Sequence, residues 1–158
     1  MKKAWMISSG IALLDQGIKV MIRRTEPGSI FAEIPGFVEI SYSINPGAAF
    51  SMFSGQALWL AALSIALMLT LCVYVCRKMC LTISAEIALY CLLGGGIGNL
   101  IDRIVYRGVT DYIKLLWFDF PVFNLADVAI TVSAAVLFVL LFFGKLEKNT
   151  GECDGSMD

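Results

Sequence analysis

The feature that most limits how this chain can fold is a set of four long apolar stretches separated by polar segments. A helix needs about 20 mostly apolar residues to cross a hydrocarbon core of about 30 Å. Such stretches run over residues 4–22, 57–76, 82–101 and 124–144. They predict an all-α membrane protein with four transmembrane helices, which form a single integral-membrane domain over residues 1–144.

The first stretch also has the layout of a secretory signal peptide, because two lysines precede it. It lacks a small-x-small cleavage site, and Asp15 and Lys19 lie inside it, so we expect a retained helix. With both termini in the cytoplasm, and with Lys19 and Arg103 set aside at helix ends, six basic residues lie inside and four outside. The positive-inside rule therefore favours cytoplasmic termini and a polar cytoplasmic tail over residues 145–158.

Two segments between the stretches have their own patterns. Residues 23–56 contain Pro-Gly turns, and polar and apolar residues alternate from Glu39 to Ile44, which predicts a half-buried strand. We expect a small β-rich periplasmic segment after the first helix. Residues 103–123 are rich in tyrosine, tryptophan and phenylalanine, which is typical of a segment at the lipid–water interface between the third and fourth helices.

The amino-acid composition limits the kinds of catalytic site that the chain can form. The chain is 58% hydrophobic and contains no histidine, which excludes Ser-His and Cys-His nucleophile systems and HExxH zinc sites. Hydrolysis would have to rest on carboxylates or on a Ser-Lys arrangement. The five cysteines lie mostly in apolar stretches, where we interpret them as small buried side chains and not as metal ligands. The net charge is −1 and the basic residues form no cluster, which argues against a nucleic-acid partner.

Ionisable residues within apolar stretches are costly, so each is a candidate functional group. Asp15 and Lys19 have the i, i+4 spacing of a helical ion pair, and a structural or a catalytic pair remains open. Glu86 lies near the start of the third stretch, where it can reach the headgroups or favour a helix N-terminus. Asp102 is followed by Arg103, which we interpret as a self-neutralised structural pair.

Asp111 and Asp127 differ because neither has a basic neighbour in its local motif. The interval between them contains Pro121 and is long enough to fold back and bring the acids together. Two carboxylates in contact cannot both ionise easily, so they share a proton, as in aspartic proteases. The alternative from spacing alone is an interfacial charge and an independent helix cap.

Five blocks, in order, resemble the lipoprotein signal peptidases, also called type II signal peptidases. They are Asp15-Gln16-Gly17-Ile18-Lys19, Asn45-Pro46-Gly47-Ala48-Ala49-Phe50, Gly98-Asn99-Leu100-Ile101-Asp102-Arg103, Val109-Thr110-Asp111-Tyr112 and Phe123-Asn124-Leu125-Ala126-Asp127. The resemblance implies an aspartic endopeptidase that cuts bacterial prolipoproteins before a diacylglyceryl-modified cysteine. It also implies a multi-pass protein of the inner membrane, with the active site on the periplasmic side.

The resemblance implies a role for eight residues. Asp111 and Asp127 would form the catalytic dyad. Supporting or substrate-contacting residues would be Asp15, Lys19, Asn45, Asn99, Arg103 and Asn124. The expected partners are the lipid-modified prolipoprotein and membrane lipids, with no metal, no cofactor and no nucleic acid, and we expect a monomer. Two departures from the family pattern are Tyr112, where phenylalanine is usual, and Pro46.

Two other classes of protein fit parts of the pattern. A small proton-coupled four-helix transporter would use Glu86 as its proton site and would not need Asp111. A structural membrane subunit would use the Asp15–Lys19 and Asp102–Arg103 pairs only to join helices, and it leaves Asp111 and Asp127 unexplained.

Overall fold

A computed structural model describes residues 2–47, 52–78 and 81–147. This part of the chain forms four helices and one three-stranded sheet. In chain order the elements are α1 (Lys2–Ile22), β1 (Ile30–Ile34), β2 (Val38–Asn45), α2 (Ala57–Lys78), α3 (Ile83–Tyr106), β3 (Val109–Leu115) and α4 (Leu125–Phe142). Each predicted apolar stretch corresponds to one helix.

Helix α3 lies at the centre of the bundle and packs against the other three helices. Three consecutive glycines explain the close packing, since successive residues of a helix face directions about 100° apart. A Cβ at Gly94 would meet the Ser8 carbonyl of α1 at 2.7 Å, and one at Gly95 would meet the Ala126 carbonyl of α4 at 2.6 Å. A Cβ at Gly96 would meet the sulfur of Met68 on α2 at 2.9 Å.

Helix α3 is also longer than the predicted stretch over 82–101. It continues to Tyr106 and ends at Arg107, which has a left-handed backbone with φ 59°. The polar residues Asp102 and Arg103 lie just beyond the predicted end at residue 101, and the helix continues through both of them. They do not end the helix because Asp102 is fully buried against other elements of the bundle.

The sheet is antiparallel, in the order β1-β2-β3. Strand β2 contains the predicted strand over Glu39–Ile44. Strand β3 was not predicted: it comes from the segment expected only at the lipid–water interface, and Ser43 pairs with Asp111 across β2 and β3. This pairing joins the two loops on one side of the bundle into a single layer.

Two of the described helices, α3 and α4, are long and apolar enough to cross a membrane. In α4 only 11% of the apolar window is buried, so most of its side chains face outward. Helix α2 is apolar over Ala57–Val73.

Some predictions fall outside the described residues. These are the end of the second family block (residues 48–50), Cys80 and Cys153, the tail over residues 148–158, and the side chain of Cys76. The beginning of the predicted tail is described: the carbonyl of Leu146 accepts the Thr82 N–H at 3.1 Å, at the start of α3.

Candidate active site

The first turn of α4 carries a reciprocal capping box. The side chain of Asn124, the N-cap, accepts the Asp127 N–H at 2.9 Å, and Asp127 Oδ2 accepts the Asn124 N–H at 3.2 Å. An Asn at the N-cap with an acidic residue three positions later favours this pair of hydrogen bonds at the start of a helix. The capping box fixes the Asp127 carboxylate at the helix N-terminus, where the helix dipole favours negative charge.

The other two N–H groups of this turn donate hydrogen bonds to side chains from other parts of the chain. The Leu125 N–H donates to the hydroxyl of Tyr112 at 3.1 Å, and the Ala126 N–H donates to Asp15 Oδ1 at 3.1 Å. A helix leaves its first N–H groups without helical partners. In α4, all four N–H groups over residues 124–127 are satisfied by side chains, so the position of Asp127 is tightly defined.

Asp111 lies on β3 and is 2% exposed. Its Oδ1 accepts a hydrogen bond from Asn124 Nδ2 at 2.6 Å, and its Oδ2 accepts one from Asn45 Nδ2 at 3.1 Å. Asn45 ends β2, so the sheet brings this amide to the acid.

Burial, followed by the nearby charge of Asp127, raises the pKa of Asp111 to about 7. The hydrogen bonds from the Asn124 and Asn45 side chains act in the opposite direction but do not offset these effects. At neutral pH a large fraction of Asp111 is therefore protonated.

Asp111 and Asp127 open into the same cavity, which has a volume of about 410 Å³. Asn124 contacts both acids, through its side-chain NH₂ and its backbone N–H. Arg103 and Asn45 also line the cavity. The rest of the wall is mainly apolar and consists of Val109, residues 120–123, Val128, Ile130, Thr131 and Val132.

Asn99 connects the acids to a layer of buried charge. Its Nδ2 donates to Asp127 Oδ1 at 2.7 Å, and its Oδ1 accepts from Lys19 Nζ at 2.9 Å. Because an ammonium group is only a donor, Lys19 fixes the orientation of the amide and directs its NH₂ group toward Asp127.

The predicted Asp15–Lys19 ion pair is present, at 2.8 Å, and both side chains are fully buried. Lys19 also pairs with Asp102 at 3.3 Å. Asp102 pairs further with Arg23 at 3.1 Å and accepts the Thr110 N–H at 2.8 Å. The interpretation of Asp102 as the partner of Arg103 is therefore wrong: its cations are Lys19 and Arg23.

Arg103 instead faces the cavity of the two acids. Its Nε atom is buried and has no hydrogen-bond partner among the residues that the structure describes. Glu86, the candidate proton site of the transporter hypothesis, lies in the first turn of α3, at the opposite end of that helix.

Sequence reasoning missed the roles of Arg23 and Tyr112 in this network. A signal for Arg23 exists, since Asp15, Lys19 and Arg23 repeat every four residues and so share one side of a helix. Arg23 also bonds Thr110 Oγ1 at 2.8 Å, which joins the end of α1 to β3.

The fold is similar to that of solved bacterial membrane enzymes. A solved structure described as a bacterial membrane enzyme matches with a TM-score of 0.84 and 29% identity, over 95% of each chain. A second structure with the same description has a TM-score of 0.79 and 29% identity, over 89% of this chain and 93% of that one.

The particular family follows from the sequence comparisons: the chain belongs to the signal peptidase II family, whose model matches residues 7–143. The lipoprotein signal peptidase of Thermosynechococcus vestitus is 39% identical over 72% of each chain. That of a Synechocystis species is 35% identical over 88% of this chain and 87% of the relative. That of Listeria monocytogenes serotype 4a is 32% identical over 87% and 92%. The family named from the five motifs is confirmed, and the transporter and structural-subunit hypotheses are set aside.

Proposed function

We propose that this protein is a membrane aspartic endopeptidase that removes the signal peptide from diacylglyceryl-modified bacterial prolipoproteins, cleaving before the lipidated cysteine. Its membership of the signal peptidase II family supports the reaction and the substrate class. The observation that carries the mechanism is the pair of acids, Asp111 and Asp127, at the polar end of one cavity.

The two acids take different roles in this proposal. Asp127 lies at the N-terminus of α4, where the helix dipole stabilises a negative charge, and it accepts hydrogen bonds from Asn99 and from the Asn124 backbone. Asp111 is deeply buried on a strand, with a pKa raised to about 7 by that burial and by Asp127. The shared proton therefore resides mainly on Asp111, and Asp127 is the general base.

The reaction then needs one water molecule held between the acids. Asp127 takes a proton from the water, the water oxygen attacks the scissile carbonyl carbon, and Asp111 gives its proton to the carbonyl oxygen. In the second step the C–N bond breaks as Asp127 returns a proton to the departing amine. Asp111 takes back the hydroxyl proton as the new carboxyl group forms.

The surrounding side chains support these steps. Asn45 and Asn124 hold the oxygens of Asp111, and Asn99 holds Asp127. Arg103 places a fixed positive charge on the cavity wall, where it counters the charge that develops during attack. The apolar remainder of the wall suits the lipid chains or the signal helix of the substrate.

The placement in the membrane is part of the proposal. Helices α1 and α2 have 21 and 22 residues, enough to cross a core of about 30 Å, so with α3 and α4 they give four spans. We place both termini in the cytoplasm of a bacterial inner membrane, the sheet and the acids on the periplasmic side, and a single domain over residues 1–144. We propose that the protein acts as a monomer without a metal or cofactor.

The test is cleavage of a lipidated precursor by purified protein, with the unlipidated precursor in parallel. Asp111→Asn and Asp127→Asn should each abolish cleavage, while Asp119→Asn, an exposed acid of the same connection, should retain it. Glu86→Gln should also retain it. Near-normal turnover by either dyad variant, or equal cleavage of both precursors by the wild type, would refute the proposed mechanism or specificity.

A further inference from the structure

We propose that Tyr112 is a positioning residue of the acid pair: its hydroxyl holds the first turn of α4, and with it Asp127, against strand β3, which carries Asp111. This inference rests on the proposed function, because it concerns the geometry of the two acids. Tyr112 itself is not assigned a role in the chemical steps.

The contacts place Tyr112 at the junction of the two elements. Its hydroxyl accepts the Leu125 N–H at 3.1 Å, and its own backbone N–H donates to the Phe123 carbonyl at 3.0 Å. Ile113 and Phe123 exchange two further backbone hydrogen bonds, at 2.8 and 3.0 Å. The backbone bonds tie β3 to the segment before α4, and the hydroxyl extends this connection into the helix.

No other side chain duplicates the contact among the residues that the structure describes. The N–H groups of residues 124, 126 and 127 are occupied by Asp127, Asp15 and Asn124, respectively. The Tyr112 side chain is only 4% exposed, so water has little access to replace it. Burial raises the pKa of Tyr112 to about 12, which keeps the hydroxyl neutral at working pH.

The substitution Tyr112→Phe removes the acceptor and leaves the ring and the backbone bonds in place. We expect kcat to fall about fivefold, the equivalent of one ordinary hydrogen bond of about 1 kcal/mol, with KM unchanged. Phenylalanine is the residue that the family resemblance leads us to expect here, so the enzyme should remain active.

A pH profile separates positioning from mere stability. The charged groups that act on Asp111 are Asp127 on α4, Arg103 on α3 and Lys19 on α1, and Tyr112→Phe alters none of them. If α4 is less firmly held, Asp127 repels the Asp111 carboxylate less. The loss of kcat at high pH should then begin at a lower pH in Tyr112→Phe than in the wild type.

A double-mutant cycle identifies the partner of the hydroxyl. Leu125 is the first residue of α4, where proline is well tolerated, and Asn124 has the extended backbone (φ −133°, ψ 178°) that suits a residue before proline. Leu125→Pro deletes the N–H group, and Leu125→Ala controls for the lost side chain. Tyr112→Phe should lower kcat in the Leu125→Ala background and have no effect in the Leu125→Pro background.

Tyr106→Phe is the matched control. The Tyr106 side chain is 50% exposed, and its ring, which the substitution keeps, contacts Arg23 at 4.2 Å. This control should leave kcat and the pH profile unchanged. The inference is overturned if Tyr112→Phe lowers thermal stability without changing kcat and the pH profile, or lowers kcat equally in both Leu125 backgrounds. Failure of the proposed function itself would show separately, as cleavage by Asp111→Asn.

Discussion

The substitution Gly95→Ala tests whether the spacing of α3 and α4 controls the acid pair. A Cβ at this position would lie 2.6 Å from the Ala126 carbonyl oxygen and 3.0 Å from Cγ1 of Ile130. Ala126 precedes Asp127, and its carbonyl belongs to the backbone, so the obstacle cannot rotate away. Helix α4 must therefore move as a body, or α3 must bend.

The size of the movement follows from the distances. Ordinary contacts of a Cβ begin at 3.4 Å, so the first turn of α4 must retreat by about 0.8 Å from α3. A misplacement of about 1 Å can reduce an enzymatic rate by about 100-fold. Overpacking costs about 1–3 kcal/mol of stability, but Ala is favoured over Gly in a helix by about 1 kcal/mol, so the net loss of stability is small. Activity should therefore fall much further than stability.

The assay is kcat/KM for a lipidated precursor, with a thermal unfolding measurement on the same preparations. Gly96→Ala is the matched control: it makes the same chemical change one residue away, but the added methyl meets the flexible Met68 side chain on α2. We expect a loss of about 100-fold for Gly95→Ala and less than threefold for Gly96→Ala. Equal activities for the two variants would show that the interface between α3 and α4 does not position the acids.

The acid pair also determines how pH and chelators should act. Burial, together with the charge of Asp127, raises the pKa of Asp111 to about 7, so the proton that it must donate is lost above this pH and kcat should fall about tenfold per pH unit there. A kcat that stays flat from about pH 6 to 9 would contradict this assignment. EDTA should leave turnover intact, since the proposed reaction uses only the two acids and a water molecule. If EDTA abolished turnover and a divalent ion restored it, the metal-free mechanism would be contradicted.

Local patterns explain what the sequence predicted correctly. The four apolar stretches and the alternation over Glu39–Ile44 are periodic signals, which need no knowledge of distant contacts. The Asp15–Lys19 pair is of the same kind, because i, i+4 residues are neighbours on any helix. The five motifs identified the family, although no single motif contains the contacts that join Asp111 to Asp127.

The errors have different physical causes. Residues at i and i+1 on a helix do not face each other, so Asp102 and Arg103 could have been separated from the sequence once α3 was extended past them. Strand β3 could not be derived in that way, because its pairing with β2 joins residues more than 60 positions apart. The hydroxyl of Tyr112 had no visible purpose in the sequence, since its partner is a backbone N–H group on another element.

The balance of buried charge gives an independent reason for a single proton on the acid pair. Two acids and two bases form one ion-paired group: Asp15, Asp102, Lys19 and Arg23. Because that group is neutral as a whole, its positive charges are largely offset by the carboxylates within it. Arg103 remains as the one cation lining the cavity of Asp111 and Asp127, among the residues that the structure describes. Burying an uncompensated charge is costly, so one cation favours one ionised carboxylate and one protonated carboxyl group, which is the state that acid–base hydrolysis of a peptide bond requires.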